Sequence, residues 1–334
     1  VTNGTVRDRS VGSGLFRTGV QQQATGSARV NATSITIRRS RVQRYSATLR
    51  RQLASYLFIA PALLFVAIFL LYPIVFTSYL SLFRWDGLHT PQFVGFANYM
   101  QLLTDPAFRT SFQNSLLWVV GTLLFPVGIG LTLAVVLSRL RLERGLKLLF
   151  YLPYALSPTS TAVLWGFLLD QQGALNVVLR ALGLEALTRS WLISPPWHTA
   201  LMIAAYTWLT AGTNMVLFLV GLRTIPPETV EAARLDGATP WQEFWRIVFP
   251  QLRPITLVVV TIALANSFMV FDLIWVLTQG GPFRSSETLA VMMYRESFVL
   301  FRLGYGAAIA TLLSVIVLLL STLYIRSMLR KEQY

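Results

Sequence analysis

The chain has 334 residues, 54% hydrophobic and only 13% charged, with a formal net charge of +14 and no cysteine. Soluble domains carry about 25% charged residues and do not gather apolar residues into runs of ~20, so this is the composition of a membrane protein. The missing cysteine excludes disulfides, thiolate metal sites and cysteine nucleophiles, and leaves the redox compartment unread.

The positive charge follows membrane topology rather than a nucleic-acid surface. Six candidate spans occur: Tyr56 to Leu80, Leu116 to Leu137, Leu148 to Leu169, Ala200 to Leu222, Ile255 to Thr278 and Gly304 to Ile325. Each is long enough for a hydrocarbon core of ~30 Å at ~1.5 Å per residue. With the N-terminus inside, 21 of the 28 Lys and Arg fall on cytoplasmic segments and 7 on outer ones. The positive-inside rule then places both termini and the loop between spans four and five in the cytoplasm. The expected fold is an all-α membrane protein of six transmembrane helices.

Residues 1–54 hold ten Arg, no Lys and one acid, Asp8. They read as a basic, disordered cytoplasmic tail that enforces orientation and touches anionic lipid, or that binds a partner, ahead of a six-helix domain at 55–334. No apolar stretch in the tail reaches the length of a secretory signal, so span one is expected to be the anchor. Val1 is compatible with a start nearer Arg38. Span one ends in Phe83-Arg84-Trp85-Asp86, with Trp85 placed for the aromatic belt, and the outer loop carries FVGFANY at 93–99.

Span two contains Pro126, which kinks a helix unless neighbours compensate. Arg139, Arg141, Arg144 and Lys147 crowd the short inner turn before span three, which carries Pro158, Thr159, Ser160 and Thr161. Those hydroxyls bond to backbone and neighbouring helices or line a solute path. The second outer loop has an amphipathic piece, Ala174 to Leu182. His198 there is expected to be exposed, and no metal-ligand spacing links it to His89. Span four carries one strongly polar group, Asn214.

Between spans four and five lies EAARLDGATPWQEFWRIVFP, residues 231–250, within a loop at 223–253. Pro227 can open a first helix and Gly237 can close it in the left-handed conformation. Thr239-Pro240-Trp241-Gln242 reads as a capping box that starts a second helix. Ala232 and Ala233, having little side chain, allow another surface close approach, and Glu231 supplies a charge beside them.

Span five holds Asn266, Ser267, Asp272 and Trp275. A carboxylate within a span is costly and marks a functional position by default. Asp272 either fixes helix packing or shapes and gates a solute path. Beyond Pro282, the acids Glu287 and Glu296 count among the charges balancing the outer loops, and Leu289, Met292, Met293 and Phe298 read as an interfacial stripe. Span six opens on small residues, Gly304 to Ala308, suited to close helix contact, and is stopped by Arg326, Arg330 and Lys331.

The order Glu-Ala-Ala, three residues, Gly237, nine residues, Ile247, two residues, Pro250 resembles the signature loop of permease subunits of bacterial binding-protein-dependent ABC importers. Phe249 stands where that family usually has leucine. FVGFANY, and Phe271-Asp272 followed by Thr278 and Gly280-Gly281-Pro282, are similar to sugar and glycerol-phosphate members. The resemblance implies a type I importer permease fold in the bacterial inner membrane, half of a pathway for a di- or oligosaccharide. It implies as partners a second, non-identical permease, two cytoplasmic ATPase subunits and an extracytoplasmic solute-binding protein. The implied ATPase-coupling set is Glu228, Glu231, Ala232, Ala233, Arg234, Asp236 and Gly237. The implied translocation path includes Asn214, Asn266, Asp272 and Trp275.

No phosphate-cradling string occurs, so the chain is not expected to be an enzyme or to hold a cofactor or metal; ATP and Mg belong to the partner ATPases. Alternatives are the same architecture importing glycerol 3-phosphate or a glycerophosphodiester, and, from another class, a gradient-driven secondary transporter or channel.

Overall fold

The computed structural model describes residues 58–138, 140 and 143–331, with no side-chain description for 143, 144 and 329–331. The expectations for the tail, for Arg139 and Arg141, and for the side chains of Arg144, Arg330 and Lys331 lie outside the described residues. The chain divides into two units, 1–70 and 71–334. In the first, 58–70 is an apolar helix with every residue exposed; the rest of this subsection concerns the second.

Six helices are long and apolar enough to cross a membrane: Phe58–Leu80, Pro106–Leu137, Pro158–Ala181, Trp197–Arg223, Arg253–Leu277 and Leu303–Met328. Water supplies no driving force between helices in lipid, so they hold by close packing and hydrogen bonds. Gly130 of span two shows the closeness, because a Cβ there would lie 2.6 Å from Asn214 Cβ of span four. Around that contact Val127, Ala134, Met215, Phe218 and Val259 bury one another. A second cluster joins Trp118, Met202, Ile203, Leu273 and Ile274, with Trp118 meeting Tyr206 edge-on at 5.8 Å.

Beyond span one, which turns π-helical at Ala67–Leu71, three spans depart from a regular helix. Span two widens into a π-helical turn at Leu123–Val127, around Pro126, and continues. Such a turn absorbs the missing donor without breaking the rod. Span three is not one helix: Glu143–Tyr151 and a 3-10 turn, Leu152–Ala155, precede an extended Ser157. The residue before a proline avoids helical geometry, and here Ser157 caps the helix Pro158–Leu169 by accepting from Ser160 N at 3.1 Å. Thr161 Oγ1 is buried with no partner among the described residues. Span five breaks after Phe268 and restarts at Asp272.

Phe83–Arg84 and Gln92–Phe93 form a short antiparallel pair that the sequence reading missed. Asn98 holds its base by donating to the Ser81 and Phe83 carbonyls at 2.7 and 2.9 Å. At its tip Asp86 and His89 pair at 2.6 Å in the open; the backbone N–H of His89 first, and then that side-chain bond, hold the Asp86 carboxyl well below its usual range.

The segment after Pro282 corrects two expectations. Leu289 and Met292 are fully buried among Leu264, Phe268, Tyr305 and Ile309, so they are core rather than an interfacial stripe. Glu287 and Glu296 are also fully buried. Arg284 bridges them, at 2.8 Å to Glu287 and 3.1 Å to Glu296, and its own pKa is raised, chiefly by the Glu287 bond. Arg295 adds a bond to Glu287 at 3.1 Å, and Arg302 closes on Glu296 as an ion pair. His198 is buried too, contrary to its expected exposure, with Nε2 2.9 Å from Ser285 Oγ. Span two serves the same loop, Asn114 donating to the Ser285 and Glu287 carbonyls and Ser115 accepting from Leu289 N at 2.9 Å. One position thus gathers three arginines, two dry carboxylates and four chain segments.

Glu296→Ala leaves Arg284 and Arg302 facing a buried gap, a loss of about 3 kcal/mol or more when one partner of a buried network is removed. Thermal unfolding in detergent should show the midpoint falling by roughly 6 °C or more, and an unchanged midpoint would refute a structural role.

Candidate functional site

The loop between spans four and five folds as helix, turn, helix. Pro226 is extended and Pro227 opens the helix Pro227–Leu235, where its missing N–H costs nothing. Gly237 ends it at φ +82°, and the reversal is closed by Ala238 N donating to Ala233 O at 3.0 Å and Gly237 N to Arg234 O at 3.1 Å. That bond pair is a complete Schellman ending. Thr239 then starts the second helix through a reciprocal capping box with Gln242, at 2.9 and 3.4 Å.

The two helices are bound by a pair that the sequence reading missed. Arg234 grips Glu243 bidentately, Nε to Oε2 at 2.8 Å and Nη2 to Oε1 at 3.2 Å, and Glu243 is buried. The Glu243 bond raises the Arg234 pKa. The only sequence signal was the nine-residue spacing of opposite charges across a capped turn. A cavity of about 360 Å³ lies behind the pair, lined by Val135, Leu219, Val230, Phe244 and Val248.

Of the coupling set, Glu228, Glu231, Ala232, Asp236 and Gly237 are exposed. Ala233 is buried within this chain, and Arg234 is engaged with Glu243 while itself exposed. Leu235, which the sequence reading passed over, is 89% exposed beside them.

The polar groups of span five gather at its break. Asn266 sits three residues before Met269 and is exposed; Asp272 opens the following helix Asp272–Leu277 and is exposed. Neither side chain has a hydrogen-bond or ion-pair partner among the described residues. Trp275, one turn on, is half-buried, stacked on Phe271 at 5.6 Å and edge-on to Tyr294 at 4.8 Å, with the Arg295 guanidinium 5.7 Å from its ring centre. Asn214 is not part of this group, since it packs against Gly130 of span two.

Residues 126–332 match the profile of a family described as the binding-protein-dependent transport system inner membrane component. The chain belongs to that family. A probable ABC transporter permease protein of Pyrococcus horikoshii is 41% identical to this permease, over 80% of its chain and 93% of the relative. An alpha-glucoside transport system permease of Rhizobium meliloti is 34% identical, over 83% of each chain. An sn-glycerol-3-phosphate transport system permease of Agrobacterium fabrum is 32% identical, over 84% of this chain and 96% of that one. In fold, the permease superposes with a TM-score of 0.75, at 24% identity, on a chain of a bacterial ABC transporter involved in import of the acidic polysaccharide alginate. That match covers 86% of this chain and 99% of the other. The expected permease fold is thereby established, and the gradient-driven alternative is set aside.

Glu243→Gln removes one charge of the Arg234 pair and should let the two helices part. Limited trypsin digestion should then cut after Arg234 several-fold faster than in the wild type, because local opening exposes the backbone. Equal cutting rates would show that the caps alone hold the element.

Proposed function

We propose that this permease forms half of the translocation pathway of an ATP-driven importer for a neutral sugar, and that it couples to a cytoplasmic ATPase subunit through the 228–250 loop. The observation carrying the proposal is the doubly capped helix pair, locked by Arg234 and Glu243, with Glu228, Glu231, Ala232 and Leu235 free on its surface. Such an element transmits displacement because it cannot absorb it.

In this reading both termini and the coupling loop are cytoplasmic. Two ATPase subunits bind ATP and Mg, close, and carry the helix pair with them; Leu252, fully buried, passes the motion directly into span five. A second, non-identical permease supplies the other half of the path, and an extracytoplasmic binding protein delivers the solute. Glu231 anchors the loop by charge, and Gly237 keeps the turn in a conformation that costs other residues about 1 kcal/mol or more. The exposed, unpartnered Asn266 and Asp272 at the break face the path, since lipid would leave them unsatisfied. Trp275 with Phe271 and Tyr294 gives that place an aromatic wall.

The sugar reading draws on the alpha-glucoside relative, and the glycerol-phosphate relative favours the alternative. ATP hydrolysis by the reconstituted complex decides between them. Stimulation by binding protein loaded with an α-glucoside supports the sugar, and stimulation only with sn-glycerol 3-phosphate overturns it.

Two variants test the site. Glu231→Arg should strip the ATPase from the purified assembly while the second permease remains, and retention of the ATPase would defeat the docking assignment. Asp272→Asn should lower uptake about tenfold in a normally assembled complex; full uptake would return Asp272 to a packing role.

A further inference from the structure

The second helix of the coupling loop has two faces. One is turned inward and carries Glu243, Val248 and Leu252, all buried. The other carries Trp241, 72% exposed, and Trp245, 43% exposed, with Phe249 next along. Their rings touch in sequence, Trp241 to Trp245 at 5.6 Å and Trp245 to Phe249 at 5.0 Å, while Phe244 packs on Trp245 at 5.0 Å. The π-helical turn Glu243–Val248 brings residues four apart into one row.

What covers this row is indicated by its position and charges. Span five begins at Arg253, four residues after Phe249, so the row lies at the end of a membrane-crossing helix. Arg246 and Arg253 flank it, both exposed, with no ion-pair partner among the described residues. Tryptophan is enriched where hydrocarbon gives way to headgroups, because its ring is apolar and its N–H polar, and nearby arginines are drawn to anionic lipid. We infer that the row is a lipid anchor: Trp241, Trp245 and Phe249 insert at the headgroup level, and Arg246 and Arg253 engage anionic phosphates.

This goes beyond the importer reading and does not depend on which protein docks at Glu231. The anchor holds one end of the coupling element at a fixed depth while Glu231 and Leu235 stay in water. A push on the first helix is then converted into a tilt of span five instead of a shift of the whole loop.

The chain has no cysteine, so a single one can be labelled uniquely. Trp241→Cys, Trp245→Cys and Leu235→Cys, each carrying a nitroxide, would be placed in nanodiscs of phosphatidylcholine with phosphatidylglycerol. Collision rates with oxygen and with a water-soluble nickel chelate then report depth. The anchor predicts oxygen exceeding chelate at 241 and 245, and the order reversed at 235. Chelate exceeding oxygen at 241 and 245 overturns it, as does low access to both reagents, which would mean that protein covers the row. Arg246→Gln with Arg253→Gln should move the 245 label several-fold toward the chelate, and no movement would defeat the anionic-lipid half. Should a cysteine variant fail to assemble, brominated lipids give the same answer on native fluorescence. Trp241→Phe with Trp245→Phe must lower the quenched share of emission, and an unchanged share overturns the anchor.

Discussion

Hydrocarbon offers a peptide group no hydrogen-bond partner, and the architecture of this chain is arranged around that scarcity. At two places where a span stops being a regular helix another residue supplies a bond. Ser157 caps the restart of span three. Where span five breaks, the Thr288 hydroxyl donates to the freed Val270 carbonyl at 3.3 Å, and Ser115 receives Leu289 N. These substitutions are intramolecular, as a medium without hydrogen-bond partners requires. The break at 269–271 is therefore a fixed feature, and it is what leaves Asn266 and Asp272 together at one level of the bundle.

The same economy links the two ends of the molecule. Span five starts one residue after Leu252, which ends the coupling segment, and its far end leads into the loop held by Glu287. In the proposed coupling, movement entering at Leu252 would meet a helix interrupted about two-thirds of the way along. A continuous rod would carry rotation through unchanged, whereas an interrupted one can tilt its near half against a stationary far half. The stationary part is well supplied with contacts: Leu273 and Ile274 are buried against Met202 and Trp118. The break at 269–271 thus lies beside the exposed polar groups.

Much of this was legible in the chain before folding. Runs of 22 to 25 apolar residues located the spans, and the helix–turn–helix was readable down to its cap at Thr239 because capping depends on neighbours in sequence. What was not legible depends on distant neighbours. Glu287 and Glu296 look like loop charges until Arg284, Arg295 and Arg302 converge on them, and His198 looks exposed until Ser285 reaches it. The break in span five has no proline or glycine to announce it, and the partner of its freed Val270 carbonyl, Thr288, lies eighteen residues on. Arg234 stood in the implied coupling set, and only the folded turn brings Glu243 against it. The role of Glu231 stands outside both sequence pattern and fold, since an exposed charge takes its meaning from what meets it.

The dry carboxylates near Pro282 have one more consequence. Dissolved ions screen charges in the open within about 10 Å at 0.1 M salt, and buried pairs far less. The Asp86–His89 pair stands in water and weakens as the medium grows more saline, while Glu287 and Glu296 lie beyond reach of dissolved ions. Salt that loosens the exposed pair therefore acts far less on the loop these two carboxylates organise.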